Sequence, residues 1–330
     1  MGRMNNRIRV ILLSEINSKL GSPFLALLAG HPDVDLVGVV TSRPGRLCSY
    51  FVHDSDQVDL EAQARDLGVR VFRPVDVNAP EMIDTLVELR PDYLIVGNYQ
   101  QILRPALLAV PAVTAVNFHP SPLPRYAGLA PFFWMVRHGE REGGVTAIEV
   151  DAGVDTGPII MQRRMRLTGR ESAVELRGMQ ERENVRMLAE LVPRLADRSF
   201  TTTPQNPRER SYFGRPRPAD YLINFESRAE DIRRIVRAGY RHPGAHTFRS
   251  DGVRIVLLSL DDSDIGVRLP LARTGTVRRV GGAWLVAAND TWLRIRTIEN
   301  QGAEVRVDQH PGLLPDGVTL GARVPEEVAG

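Results

Sequence analysis

The sequence predicts an α/β fold in which a doubly wound, mostly parallel sheet is followed by a second, smaller β-rich domain. Three observations support this prediction. Strand-like and helix-like stretches alternate over roughly the first 160 residues, the composition changes near residue 200, and several strand-like runs follow residue 250. Alternation of strand and helix is typical of parallel strands joined by right-handed crossovers, whereas strands in direct succession favour a small barrel or open sheet.

The first sheet is predicted from five short runs rich in β-branched residues that end in polar or turn residues. These runs are RIRVILLS (7–14), DLVGVVTS (35–42), VRVFRP (69–74), DYLIVGN (92–98) and TAVNFHP (114–120). Between several of them lie the helix-like stretches SPFLALLAG, DLEAQARDLG and PEMIDTLVELR, the first two ending in a glycine that favours a helix stop. Ligands of such sheets bind at the carboxyl ends of strands, where Asn98, Asn117 and His119 fall.

The remaining elements divide the chain into a large domain, a linker and a small domain. The strand-like runs VTAIEVD and PIIMQRRMRL precede a long helix over 171–197, and TTTPQNPRERSYFGRPRPAD lacks apolar periodicity. A short helix, AEDIRRIVRAG, then leads into several strand-like runs. We therefore expect a domain over 1–205, a linker over 206–218 and a β-rich domain over 219–330.

Composition excludes several classes of protein. Cys48 is the single cysteine among 330 residues, so neither a disulfide framework nor a thiolate metal site is expected. The apolar runs have the length of strands, not of membrane spans, and no signal-peptide core follows the N-terminus, which predicts a cytoplasmic protein without a membrane partner. A formal charge of +2, spread along the chain, does not by itself indicate a nucleic-acid partner. The oligomeric state is not predicted.

Two common nucleotide motifs are absent from the turn after the first strand. This turn reads SEINSKLGSPF, without the G-x-G-x-x-G of dinucleotide-binding proteins, and the chain has no phosphate-binding P-loop. The fold class alone therefore does not give a function.

The polar candidates lie in NFHPSPLPRYAGLAP (117–131) and EVDAGVDTGPII (149–160). A histidine beside a carboxylate, with an amide to orient a ligand, suits proton transfer during attack on a carbonyl carbon. The alternative is structural, because a lone histidine at a strand end is often a hydrogen-bonded core residue and an Asp before Thr-Gly is often a turn former. Metal binding is the weaker use, since one histidine and one carboxylate lack the third ligand of a catalytic zinc site. We predict no metal.

The two stretches NFHPSPLPRYAGLAPFFW and GVTAIEVDAGVDTGPII resemble the signature of the 10-formyltetrahydrofolate-dependent formyltransferases. This family includes methionyl-tRNA, glycinamide ribonucleotide and sugar-nucleotide enzymes. The resemblance extends to YQQILRPALLAVP, LGSPFLALL and FESRAEDIRRIVRAGYRHPGAHTF, and so covers most of the chain. It implies a Rossmann-like first domain and an OB-like second domain.

Matched position by position, the family's catalytic residues fall on Asn117, His119 and Asp155. The resemblance implies direct attack of an amine on the formyl carbon of 10-formyltetrahydrofolate, without an acyl-enzyme. His119 would donate to the oxygen that gains negative charge, Asn117 would orient the formyl group, and Asp155 would hold His119 and relay the amine proton.

The resemblance also implies where the folate cofactor binds. The pterin is expected against the end of the fourth strand and the loop around the Asp155 position, which gives the candidate residues Asn98, Tyr99, Gln100, Ile102, Leu103, Ala152, Val154 and Gly157. Apolar members of this set have core packing as an equally good interpretation. Candidates for acceptor binding are Tyr50 and Phe51 in the loop after the second strand, and Ser121 and Arg125 in the matched loop.

The acceptor is predicted from the second domain and from the loop SRPGRLCSYFVHDSDQVD. A stand-alone glycinamide ribonucleotide enzyme of this family would end after the first domain, so the second domain disfavours it. The loop contains more aspartates than arginines. Binding the phosphates of a nucleic acid independently of its base sequence requires net positive charge. We therefore expect a small-molecule amine, such as an amino sugar nucleotide or an amino-acid-derived amine. The alternatives are methionyl-tRNA and, from another class, a folate-binding regulatory protein without turnover.

Overall fold

The computed structural model describes residues 7–43, 45–50, 56–241, 243–262, 269–270 and 272–321. Contacts along the chain separate it into two compact units. The first consists of Met1–Pro131, Glu142–Arg166 and Arg177–Phe213, and the second of Phe132–Arg141, Leu167–Leu176 and Gly214–Gly330. Among the described residues, no helix combines the length and apolar character needed to cross a membrane.

A seven-stranded mixed sheet forms the centre of the first unit. The strands of this unit, in chain order, are β1 (Ile8–Leu13), β2 (Val34–Val40), β3 (Val71–Phe72), β4 (Tyr93–Val96), β5 (Thr114–His119), β6 (Ala127–Gly128), β7 (Glu142–Glu149), β8 (Ile159–Arg166) and β9 (Tyr212–Phe213). The sheet order is β3-β2-β1-β4-β5-β7-β8, while β6 and β9 form a separate parallel pair. Pairing is parallel from β3 to β5 and antiparallel from β5 to β8. The predicted doubly wound, mostly parallel sheet is confirmed.

The predicted helices are also present, with two additions. The helices are α1 (Gly21–Gly30), α2 (Leu60–Asp66), α3 (Pro80–Glu88), α4 (Pro105–Leu108), α5 (Pro131–His138), α6 (Ala173–Ala196) and α7 (Ala229–Gly239). Periodicity predicted all of these except the short α4 and α5. The start of α2 shows why the sequence folds locally: the Asp59 side chain accepts the Ala62 N–H at 3.0 Å and so caps the helix.

Helices cover both faces of the first sheet. On one face, α1, α2 and α6 pack onto the sheet through a core that includes Phe24, Leu60, Leu188 and Phe118. The rings of Phe24 and Phe118 meet edge to face with centroids 4.9 Å apart. The helices α3 and α4 cover the other face. Because strand side chains alternate, Asn117 and His119 lie on the face of β5 opposite Phe118.

The second unit is built on an antiparallel sheet. Its strands are β10 (Ala245–Phe248), β11 (Arg254–Asp262), β12 (Val277–Val280), β13 (Ala283–Ala287), β14 (Trp292–Asn300) and β15 (Ala303–Arg306), in the order β10-β11-β14-β13-β12 with β15 on β14. Helix α7 packs its apolar side into the same core as Trp284. A β-rich second domain is thus confirmed. The predicted linker, 206–218, contains a 3₁₀ turn (Pro207–Glu209) and β9.

Tyr93 gives a stability test of the first unit. This fully buried side chain donates from its hydroxyl to the Leu195 carbonyl at 2.9 Å, and burial raises its pKa to about 12. We expect Tyr93→Phe to lower the free energy of unfolding at pH 8 by about 1 kcal/mol, because one buried carbonyl loses its donor. The folded-state pKa lies above the unfolded value, so this stabilisation is complete below pH ~10 and is lost as the pH rises towards 12.

Urea unfolding at pH 8, 10 and 11 measures both effects. Tyr212→Phe is the matched control, since its ring is 54% exposed. Equal unfolding free energies for wild type and Tyr93→Phe at pH 8 would contradict the prediction.

Candidate active site

Two candidate side chains project from β5. Asn117 lies beside Val96 of β4 and Ile148 of β7, and His119 lies beside Thr146 at the carboxyl end of the strand. His119 is 5% exposed, whereas Asn117 is only half-buried. Their alternation with Val116 and Phe118, which belong to the core, places both on one face of the sheet.

The ring of His119 has a defined tautomer when it is neutral. Its Nε2 lies 2.9 Å from the Tyr126 carbonyl oxygen, and a carbonyl can only accept, so Nε2 carries the proton. Nδ1 is then the nitrogen that faces the Asp155 carboxylate, with Oδ2 at 3.6 Å. The available nitrogen of His119 is therefore Nδ1, which faces the Asp155 carboxylate.

The carboxylate of Asp155 is held by three groups. Its Oδ2 accepts the Gly128 N–H at 2.8 Å, and its Oδ1 lies 3.4 Å from Asn117 Nδ2. The third group is the His119 ring, and the Asp155 side chain is only 12% exposed. The backbone of Asp155 is left-handed, with φ = 51°. Few residues other than glycine adopt this conformation without support from their surroundings.

The loop around Asp155 is compact. Asp151 Oδ1 accepts the Gly153 N–H at 3.1 Å and the Thr156 hydroxyl at 2.7 Å. At Gly157, a Cβ would lie 1.7 Å from the Glu149 carbonyl oxygen, so only glycine allows this close approach. The glycine predicted as a pterin contact thus has a structural reason to be there.

Hydrogen bonds of the buried residue Ser121 hold the proline-rich loop after β5. Ser121 is fully buried, donates to the Arg125 carbonyl at 2.8 Å and accepts, through its own carbonyl, the Thr146 hydroxyl at 2.7 Å. The guanidinium of Arg125 lies 5.7 Å from the centre of the Tyr126 ring. Ser121 therefore acts in the structure as a support for the loop.

A second polar cluster follows β1 and β4, the neighbouring strands of the sheet. Glu15 Oε1 accepts the Gln100 N–H at 2.9 Å, and the Asn98 carbonyl accepts the Glu15 N–H at 3.0 Å. Gln100 Nε2 lies 3.0 Å from the sulfur of Cys48, a fully buried residue. Glu15 is 2% exposed, and its Oε2 has no hydrogen-bond partner within the described chain.

The other candidates divide between exposed and buried positions. Ile102 and Val154 are 68% and 43% exposed, whereas Leu103 is a core residue beneath α3 and α4. Burial raises the pKa of Tyr99, and its hydroxyl lacks a hydrogen-bond partner among the described residues.

The remaining residues predicted to bind the folate or the acceptor lie in loops. Ala152 is exposed, the Tyr50 carbonyl accepts from Arg177, and Phe51 lies outside the described residues.

The structure thus brings Asn117, His119 and Asp155 together. In the described part of the chain, no group of three His, Cys, Asp or Glu side chains is arranged to hold a metal ion. Sequence reasoning missed Gly128 and the Tyr126 carbonyl, because both act through the backbone, which has no residue-specific signal.

Comparison with family models and with known proteins points to one family. The family model for formyl transferase matches residues 7–192, and the model for the formyl transferase C-terminal domain matches residues 216–308. A methionyl-tRNA formyltransferase of Microcystis aeruginosa is 30% identical over 264 residues, which cover 79% of each chain.

Solved structures share the fold. An N-formyltransferase from Helicobacter canadensis, solved with folinic acid and dTDP-3-aminofucose, has a TM-score of 0.65 and 18% identity over 87% of this chain and 98% of its own. The sugar 3N-formyltransferase WlaRD, solved with dTDP and 5-N-formyl-THF, has a TM-score of 0.63 and 17% identity over 89% and 97% of the two chains.

Cys48 gives a test of the cluster after β1 and β4. Burial, assisted by the nearby Glu15 carboxylate, raises the pKa of its thiol. The thiolate is the reactive form, so we expect Cys48 to react with Ellman's reagent at pH 8 at least about tenfold more slowly in the folded protein than in urea. Cys48→Ser supplies the background rate. Equal rates in both conditions would contradict this arrangement.

Proposed function

The chain belongs to the formyl transferase family, and we propose that it transfers the formyl group of 10-formyltetrahydrofolate to the primary amine of a small-molecule acceptor. The acceptor class is an amino sugar nucleotide or an amino-acid-derived amine. The observation that carries the proposal is the convergence of Asn117, His119 and Asp155, with contacts of 3.4 and 3.6 Å. A protein that only bound folate would have no need of this constellation, which disfavours a purely regulatory role.

Bound 10-formyltetrahydrofolate would supply the formyl group, whose carbon the acceptor amine attacks directly. The formyl oxygen gains negative charge in this step and requires a hydrogen-bond donor. Since Nε2 of His119 is engaged by the Tyr126 carbonyl, the donor is Nδ1 of the protonated ring. The neighbouring Asp155 carboxylate, with Oδ2 3.6 Å from Nδ1, keeps the ring in this orientation.

Asn117 and Asp155 have the remaining roles. The Asn117 amide, half-buried on the same face, orients the formyl group through its Nδ2. Asp155 holds the ring of His119 and relays the proton that the attacking amine loses. This proton would pass to the folate nitrogen as its bond to the formyl carbon breaks, so that the products are a formamide and tetrahydrofolate.

Exposed apolar side chains and a buried hydroxyl support the proposed pterin site. Ile102 and Val154 expose apolar side chains in the two stretches proposed to bind it, and these provide surface for a flat ring. The buried hydroxyl of Tyr99, which lacks a described partner, provides a polar group there. With them we assign Asn98, Gln100, Leu103, Ala152 and Gly157 to the folate pocket.

Charge supports a small acceptor. The loop after β2 is net negative, and Glu15, whose Oε2 has no hydrogen-bond partner among the described residues, adds a buried carboxylate after β1. Both would repel the phosphates of a nucleic acid. An ammonium or hydroxyl-rich acceptor is compatible with them. Tyr50 and Phe51, with Arg125 and Ser121, are the residues we propose on the acceptor side.

Methionyl-tRNA is the second candidate acceptor. The observation that favours it is the 30% identity to methionyl-tRNA formyltransferase over 79% of both chains. The two candidates differ in the number of phosphates that must be bound, which makes them separable by salt.

His119→Ala and Asp155→Ala are each expected to lower turnover by about two or more orders of magnitude with little change in melting temperature, because one donor to a developing oxyanion contributes ~3–4 kcal/mol. Formyl transfer to an amine panel, followed by mass spectrometry, measures the effect. His31→Ala is the control, since that ring lies at the end of α1 and accepts the Asp33 N–H at 3.2 Å, before β2 begins. Activity within a few fold of wild type in either variant would reject the assigned roles.

The acceptor is expected to be formylated with weak dependence on salt. A tRNA acceptor would show log affinity falling against log salt with a slope near −0.7 to about −0.9 per phosphate contact. Formylation of initiator methionyl-tRNA and of an amino-sugar nucleotide panel, measured from 50 to about 200 mM salt, separates the two. Efficient, salt-sensitive tRNA formylation without small-amine activity would reject the small acceptor and establish the second candidate.

A further inference from the structure

Residues 205–213, called here the bracing segment, lie between the two matched family regions and belong to neither. We propose that this segment positions Asp155 and His119 for formyl transfer, with Gln205 as its central positioning residue. The inference rests on the proposed function for its catalytic readout. The contacts that support it all lie within the first unit.

The loop that contains Asp155 needs support because of where it starts. Strand β7 runs antiparallel to β5 and ends with Glu149 opposite Val116, three residues before His119. At about 3.3 Å per residue, the loop leaves the sheet roughly 10 Å short of His119 and must fold back. Its end is tied to the chain that follows α6 by a bridge between Ile159 and Thr203.

Gln205 and Arg210 hold the folded-back loop by its carbonyl groups. Gln205 Nε2 donates to the carbonyls of Asp155, at 3.0 Å, and Gly157, at 2.7 Å. Arg210 donates to the Val154 carbonyl at 2.8 Å and lies 3.4 Å from that of Asp155. Both side chains therefore stabilise the left-handed backbone conformation of Asp155, which is less common for residues other than glycine than the right-handed and extended conformations.

The same segment holds the partners of the catalytic pair. Ser211 accepts the Tyr126 N–H through its hydroxyl at 2.8 Å and the Ala127 N–H through its carbonyl at 2.9 Å. Phe213 stacks on Tyr126, with ring centroids 5.2 Å apart, and β9 pairs with Gly128 of β6.

These contacts hold the two backbone groups that orient His119 and Asp155. The Tyr126 carbonyl fixes Nε2 of His119, and the Gly128 N–H fixes Oδ2 of Asp155. One short segment thus sets the positions of both members of the pair.

Gln205→Glu tests the proposal, because it keeps the size of the side chain but replaces the donor with an acceptor facing two carbonyls. Gln309→Glu is the matched control: it makes the same replacement at an exposed position of the second unit, outside the bracing segment. We expect Gln205→Glu to lower kcat by about 10- to 100-fold, the cost of a displacement near 1 Å. Gln309→Glu should keep kcat within about twofold of wild type with an unchanged melting temperature, whereas Gln205→Glu should also lower the melting temperature, because two carbonyls lose their donor.

Two further measurements separate positioning from general stability. Amide hydrogen exchange of a peptide covering 151–157 should rise in Gln205→Glu alone, with no rise across β1 or β4. In an Asp155→Asn background, Gln205→Glu should cause no further loss of kcat, since it acts through Asp155. If Gln205→Glu does not fold, Gln205→Met removes the donor without adding charge and is measured in the same way.

Unchanged kcat together with unchanged exchange in 151–157 would overturn the proposal. An independent, multiplicative loss in the double variant would overturn action through Asp155. If the wild-type protein transfers no formyl group to any acceptor, the proposed function fails, and hydrogen exchange at 151–157 still decides whether Gln205 holds the loop.

Discussion

The arrangement of the site depends on one constraint, the placement of the Asp155 carboxylate against His119. The carboxylate is only 12% exposed and is reached by a left-handed turn, so its position has to be imposed by its neighbours. Its Oδ2 accepts from Gly128, and its Oδ1 faces Asn117. Each contact fixes one oxygen, and together they prevent rotation of the carboxylate away from the imidazole ring. A partly buried charge needs such partners, because it has little water to replace them.

Much of the first unit could be predicted because its signals are local. Short β-branched runs with intervening amphipathic stretches give strands and helices directly, and a period of two residues puts Asn117 and His119 on one face of β5. Periodicity could not predict that these two residues lie beside Asp155. It came from the resemblance of two separated stretches to a family, since Asn117 and Asp155 are 38 positions apart in the sequence.

The contacts that the sequence did not predict were missed for one physical reason. Gln205 and Arg210 donate to carbonyl groups, and Gly128 donates from its backbone. Any residue has a carbonyl or N–H, so nothing in the sequence marks which one will be used. The stretch TTTPQNPRERSYFGRPRPAD contains Gln205 and Arg210 and lacks apolar periodicity, so a linker is predicted from residue 206 onward, directly after Gln205. Periodicity reports burial of side chains, and this stretch is held by polar contacts instead.

The change of direction at β5 explains why polar contacts from a later segment are needed. In a wholly parallel sheet every strand delivers its last residues to the same edge, as β1, β4 and β5 do for Glu15, Asn98 and His119. Strand β7 runs the other way and therefore delivers its loop to the wrong end of β5. Folding that loop back brings a carboxylate beside His119 from a direction that no parallel strand could use. The sheet holds this loop only at its start, where the Val150 N–H donates to the Ala115 carbonyl at 2.8 Å, so the part that contains Asp155 depends on contacts from the later segment.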